Sequence, residues 1–208
     1  YCIIEEYIDG VHICAEAFVY NNKILFVLPF GKRTYYFPTP VHIGHFAPIN
    51  ADEDILNQIK IQSELAIRAL ELNNCAINLD LIIGKDKVYI IELTGRAGAN
   101  LPELVSAYYG INYYNMIATM AVGEDPWNIF SKRNTYYTST ASSLIISEKS
   151  GTIKKIINHN KNDGSIYDIS IYKKIREKIV AFNLKKRDII GKVIVKGNDT
   201  EFCLRKLD

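Results

Sequence analysis

NLDLIIGKDKVYIIELTGRAGA, residues 78–99, sets two apolar runs on either side of a Gly-Lys-Asp-Lys turn. Val88, Ile90 and Ile91 suit a sheet interior, yet their run ends in Glu92, and Arg96 follows between Gly95 and Gly98. The first run carries Asp80 among Ala76, Ile77, Leu79, Leu81 and Ile82. Short apolar runs bounded by turn residues predict a β-hairpin, 75–83 with 88–93. If the loop is Lys85–Lys87, closed by Gly84 and Val88, Asp80 stands directly opposite Glu92. A two-residue loop would put them on opposite faces, because side chains alternate along a strand. Directly opposed Cβ atoms lie ~4.5–5.5 Å apart, where two like charges repel. A shared proton, an arginine or a divalent cation must offset that repulsion. Hard oxygen ligands on a rigid hairpin suit Mg²⁺, which takes one or two carboxylates plus phosphate and water oxygens. Thr94 can offer a neutral oxygen to the same face, and Arg96 is a planar donor for phosphate or carboxylate. The competing reading sends both acids to solvent with Arg96 neutralising them, and spacing alone leaves the two readings open.

Upstream, residues 1–8 (YCIIEEYI) read as a strand ending in Asp9-Gly10. ICAEAFVY (13–20) and KILFVLPF (23–30) read as a hairpin across Asn21-Asn22, since Asn tolerates positive φ. Residues 31–50, with three prolines, two glycines and two histidines, read as a long loop of the kind that is often functional. From Asp52 to Leu72, Ile55, Ile59, Ala66 and Leu70 recur at helical spacing behind acids at 52–54. Pro102–Tyr109 and Tyr113–Val122 read as two more helices. After Pro126 short β-branched runs take over: SSLIISEK, TIKKIIN, SIYDISIY and GKVIVKG. The division expected is 1–126, a connection at 127–139, and a small β-rich lobe at 140–208.

At 208 residues, 48% hydrophobic and 23% charged, the chain has the composition of an ordinary globular protein with material for a sizeable core. No apolar run approaches the ~20 residues of a membrane-spanning helix, so no membrane is expected. The chain starts at Tyr1, which suggests that it begins inside a longer protein. Four scattered cysteines without a CxxC pair argue against a zinc site and for a reducing, cytoplasmic compartment. Residues 140–208 carry fifteen Lys and Arg against eight Asp and Glu, whereas 1–139 are net acidic. A solvated basic face accounts for that asymmetry more simply than nucleic acid, for which no binding signature is present.

NLDLIIGKDKVYIIELTGRAGA resembles the metal-binding hairpin of the ATP-grasp ligases, in which an acid on one strand and Glu-x-Asn on the next hold two Mg²⁺ ions against ATP. The resemblance makes Asp80, Glu92 and Thr94 the metal ligands, with Thr94 in the place of Asn. It makes Arg96 the catalytic clamp on an acyl phosphate or carboxylate. IIEEYIDG resembles the segment that cradles adenine, which implies nucleotide contacts from Glu5, Glu6, Tyr7 and Ile8, with His12 near the ribose and Ile91 beside the nucleotide. VHIGHFAP (41–48) is similar to the E-x-G-H-x-x-P segment of carboxylate–amine ligases: His45 matches, and His42 takes the acid's place, both facing the amino substrate. GKVIVKGNDTE resembles the last strand of the same ligases and the turn after it.

The fold implied is α+β: the C-terminal lobe of an ATP-grasp domain, an antiparallel sheet with helices on one face, followed by a small mostly-β lobe. The activity implied is activation of a small carboxylate as an acyl phosphate by ATP with Mg²⁺, or Mn²⁺ in its place, and its joining to an amine or thiol. The N-terminal part of such a ligase, with its glycine-rich phosphate loop, is a missing partner, so the isolated chain is expected to be inactive. A homodimer is compatible with this reading. The rivals are the bicarbonate-activating branch, as in biotin carboxylases and carbamoyl-phosphate synthases, and a non-catalytic module that binds nucleotide or nucleic acid.

Overall fold

The structure, a computed structural model, describes residues 2–36, 40–134, 138–160, 163–183 and 188–208. Tyr1 of the first expected strand, 37–39 of the expected loop and 135–137 of the expected connection lie outside them. Two compact units form, and neither is continuous in sequence. The first gathers 1–31, 49–102 and 112–132; the second gathers 32–48, 103–111 and 133–208. Among the described residues no helix is long and apolar enough to cross a membrane.

In the first unit β1 (Val11–Tyr20) is flanked by β2 (Lys23–Tyr36, of which 23–31 belong here) and by β4 (Cys75–Ile83), and β5 (Val88–Thr94) pairs with β4. All these pairings are antiparallel. The strand β3 (Pro40–Ala47) belongs to the second unit. β1 is buried from Ile13 to Val19 because both of its faces are covered. Ile13, Ala15, Ala17 and Val19 join Ile77, Leu79 and Leu81 under Ile59 and Ile67 of α1 (Glu53–Ala69). On the other face Phe18 and Phe26 meet Tyr113 of α3 (Tyr113–Ala121), at ring-centroid distances of 5.8 and 5.9 Å, and Phe26 stacks on Phe130 of the short α4 (Trp127–Phe130). A strand covered on both faces loses its polar alternation and reads as a nearly continuous apolar run. The helix α1 starts where its acids predict: Asp52 is the N-cap, and its side chain accepts from Ile55 N at 2.8 Å.

In the second unit β3 is followed by β6 (Ser139–Ile146), β10 (Ile189–Gly197) and β8 (Ile166–Ile171) in an antiparallel order, with β7 (Gly151–Thr152) and β9 (Lys178–Ile179) as a separate pair. α2 (Pro102–Tyr109) straddles the start of this unit's second segment, and α5 (Thr200–Arg205) closes the chain with Asp199 as its N-cap.

Two expectations need correction. Residues 2–9 form no strand: both edges of β1 are taken by β2 and β4, and Ile3, Ile4 and Tyr7 stand 86, 92 and 85% exposed. Without a ladder partner an apolar alternation has nothing to fix it as a strand. Conversely, most of 31–50 is sheet, as the end of β2 and the whole of β3. Pro40 opens β3, Pro48 follows its end, and Gly44 lies where the backbone of Ser142 comes so close that a Cβ would overlap its carbonyl. These are the positions at which a strand tolerates proline and needs glycine. TIKKIIN is likewise strand only at Thr152, and GNDTE is the cap and first turn of α5 rather than a plain turn.

Candidate active site

The β4–β5 hairpin closes one residue earlier than the sequence suggests. Ile83 pairs with Val88 around the four-residue loop Gly84–Lys87, in which Gly84 N donates to Lys87 O at 3.0 Å. Continued without interruption, that register would set Asp80 against Ile91 and turn Glu92 toward Leu79, into the core under α1. A bulge at Ile91 prevents this. Leu81 pairs with Ile90, whereas Asp80 pairs with Glu92, Leu79 with Leu93 and Asn78 with Thr94. The extra residue, Ile91, is 52% exposed, as expected of an unpaired bulge position.

The opposed carboxylates belong to a larger array. Cys14, Asp80 and Glu92 form one row across β1, β4 and β5; Glu16, Asn78 and Thr94 form the next. Because the rows are two residues apart, they share a face of the sheet. Asp80 is half-buried and Glu92 exposed. The Thr94 hydroxyl donates to Asn78 O at 3.4 Å, which leaves its lone pairs unused as donors' partners or ligands, and Asn78 Nδ2 donates to Ala15 O at 3.3 Å. Arg96 is exposed and donates from Nη1 to Ala97 O at 3.0 Å.

Among the described residues no group of three or more His, Cys, Asp or Glu is arranged to hold a metal ion. The hairpin offers two carboxylates and one hydroxyl. That donor set fits a Mg²⁺ ion that arrives with phosphate oxygens and keeps water ligands, and does not fit a closed all-protein cage.

Sequence reasoning passed over Glu16, although a lone acid in the apolar run VHICAEAFVY was a legible signal. Its side chain has no exposed surface. Oε2 accepts from Gly98 N at 3.1 Å and Oε1 accepts from the Tyr113 hydroxyl at 3.1 Å. Burial pushes the carboxyl up to about 8, against the opposing pull of those two donors, Asn78 and the Arg96 charge.

The other predicted site residues are scattered. Glu5, Glu6 and Tyr7 are exposed and Ile8 half-buried in the irregular segment before β1, and His12 is exposed on β1 opposite Ile82. In the second unit, His42 Nδ1 lies 3.3 Å from Thr34 Oγ1. His45 is half-buried, and its backbone N–H donates to Ser142 Oγ at 3.1 Å. The same unit holds a buried ion pair that the sequence did not single out: Lys192, in β10, bonds Glu103 of α2 at 2.8 Å.

No protein-family model matches the chain, and no curated protein matches its sequence. Solved structures do. The chain is similar to phosphoribosylglycinamide synthetase from Anaerococcus prevotii, at 45% identity and a TM-score of 0.91, over 98% of this chain and 52% of that one. It is also similar to L-amino acid ligase from Bacillus licheniformis, at 19% identity and a TM-score of 0.81, over 96% of this chain and 52% of that one. A third likeness is to biotin carboxylase from Campylobacter jejuni in its β-γ-ATP complex, at 15% identity and a TM-score of 0.75, over 98% and 45%. The last two establish fold alone. The chain spans about half the length of the proteins it matches.

Proposed function

We propose that this chain, which carries the C-terminal part of the ATP-grasp ligase fold, supplies the metal-binding face of an enzyme that joins a carboxylate to an amine at the expense of ATP. The observation that carries the reading is the opposition of Asp80 and Glu92, maintained by a bulge that keeps Glu92 out of the core. Two carboxylates held face to face repel, and a divalent cation between them offsets that repulsion. A bound Mg²⁺ ion supplies electrostatic stabilisation of the charge that develops as a phosphoryl group is transferred.

The chain's own residues then divide the work. Asp80 and Glu92 hold the ion from two adjacent strands, and Thr94 offers a hydroxyl oxygen beside them. Arg96, exposed beside the hairpin's end, neutralises the phosphate or carboxylate of the activated substrate. In the overall reaction a carboxylate oxygen attacks the γ-phosphorus of ATP, giving an acyl phosphate and ADP. The amine then attacks the acyl carbon, inorganic phosphate leaves, and an amide forms. Phosphoribosylglycinamide is an amide of glycine. Likeness at 45% identity to its synthetase therefore favours glycine as the acid and a phosphoribosyl amine as the acceptor. His42 and His45 are the candidates for acceptor contacts in the second unit, and residues 5–8 with His12 and Ile91 are those for the nucleotide.

The test is ADP release by a protein containing this chain and the missing N-terminal half, assayed with glycine and phosphoribosylamine. Glu92→Ala should lower amine-dependent turnover by about 10²-fold or more, the scale on which loss of one preorganised electrostatic group is felt. Unaltered turnover in Glu92→Ala would remove the metal assignment.

A further inference from the structure

Glu16 lies in the middle of β1 between Ala15 and Ala17, all three without exposed surface. An apolar residue would fill that place at lower cost, since a buried carboxyl must be matched by hydrogen bonds to be tolerated. Its partners are therefore informative. One oxygen receives Gly98 N, from the loop that carries Arg96; the other receives the hydroxyl of Tyr113, the first residue of α3. Three pieces of the first unit, β1, the 95–100 loop and α3, meet at one side chain.

We propose that Glu16 is a positioning residue, whose carboxyl ties the 95–100 loop to the sheet and to α3 and so fixes where the Arg96 guanidinium stands. The functional half of this statement rests on the role given to Arg96 above; the tie itself does not. Both of its ends are rigid. Tyr113 is fully buried, with its ring edge-on to Phe18 and tilted against Phe26, so its hydroxyl has little freedom. Gly98 is seated so tightly that an added Cβ would meet Leu101 Cδ1 at 2.8 Å and Asn78 Nδ2 at 3.0 Å. The loop's own closing bond, Leu101 N to Gly98 O, is long at 3.4 Å. A loop held weakly by itself and firmly by a buried carboxyl has its position set by that carboxyl.

Glutamine at position 16 can accept from Gly98 N with its oxygen while its NH2 donates to the Tyr113 hydroxyl oxygen, whereas leucine fills the space and makes neither bond. Amide hydrogen exchange, followed by NMR on the 208-residue chain, separates tethering from plain packing. Glu16→Gln should keep the Gly98 amide protected. Glu16→Leu should lose about tenfold of that protection, the equivalent of one hydrogen bond. The amides of Leu79 and Leu81, in the adjacent ladder, should stay as in the wild type. Tyr113→Phe keeps the ring and removes only the hydroxyl, so it gives a second, folded probe with a smaller loss at Gly98.

Unchanged Gly98 protection in Glu16→Leu would overturn the proposal. So would loss at Gly98 and the β4 ladder together, or failure of glutamine to preserve protection. In a protein containing the other half of the ligase, Glu16→Leu added to Arg96→Ala should cause no further loss of turnover, because both act through one group. Fully additive losses there would sever Glu16 from Arg96. Absence of ligase turnover in the unmutated protein would count against the proposed reaction and leave the exchange result to decide the tie.

Discussion

Single buried polar groups are where this molecule departs most sharply from its apolar surroundings. Glu16 has an ordinary carboxyl value of 4.5 in the unfolded chain and about 8 in the folded one. Between those values the folded protein binds the proton that the unfolded chain has released, so stability falls as pH rises. The contribution is fully present below about pH 4.5 and is lost as pH rises through 8. Thermal melts from pH 5 to pH 9 should therefore show a steeper decline in wild type than in Glu16→Gln, which has nothing to ionise. Parallel declines would show that the carboxyl is not held neutral. Ser63 is a simpler case. Its hydroxyl, on the core side of α1, is fully buried and has no hydrogen-bond partner among the described residues. Ser63→Ala removes an unsatisfied group and improves helix propensity, so urea denaturation should show a gain of about 0.5–1 kcal/mol.

Individual elements show how far the sequence could be read and why the reading stopped. The 75–93 hairpin, α1, α2 and α3 follow from hydrophobic runs and periodicity and from signals such as the acids at 52–54, all of them local. The opposition of Asp80 and Glu92 was legible as a geometric possibility. Its cause was not, because a bulge is set by what lies on the two sides of the sheet. Residues 2–9 and 40–47 were misread for one reason: whether a segment is strand depends on a partner far away in sequence. β3 exists because Ser142 and its neighbours lie alongside Gly44, and residues 2–9 lack any such neighbour among those described. Glu16 escaped notice because its two donors lie 82 and 97 residues away. The bulge leads to a testable asymmetry. Deleting Ile91 leaves Leu81 against Ile90 and Asp80 against the acid, so the chain should fold with a thermal midpoint within a few degrees of wild type. Placing lysine at Ile90, which packs against the core under α1, should lower the thermal midpoint far more than placing it at the exposed Ile91.

At the scale of the whole chain, two discontinuous units share 208 residues that span about half of each ligase they match. The glycine-rich loop and helix start that cradle phosphates are not found in the sequence, so the proposed metal-binding face stands without that cradle. The 208-residue chain alone should therefore release no ADP above background when given ATP, Mg²⁺, glycine and an amine, and adding the N-terminal half should restore turnover. Turnover by the chain alone would mean that its own residues suffice for phosphate binding.

The central claim is that Asp80 and Glu92 are held opposite one another to share a divalent cation, and Mn²⁺ tests it most directly. Added below stoichiometry with ADP to the isotope-labelled 208-residue chain, paramagnetic Mn²⁺ should broaden the amide signals of residues 79–81 and 91–94 before any others. The same addition to the double variant Asp80→Asn, Glu92→Gln should leave those signals sharp. Broadening spread evenly over exposed acids, or unchanged in the double variant, would contradict the account.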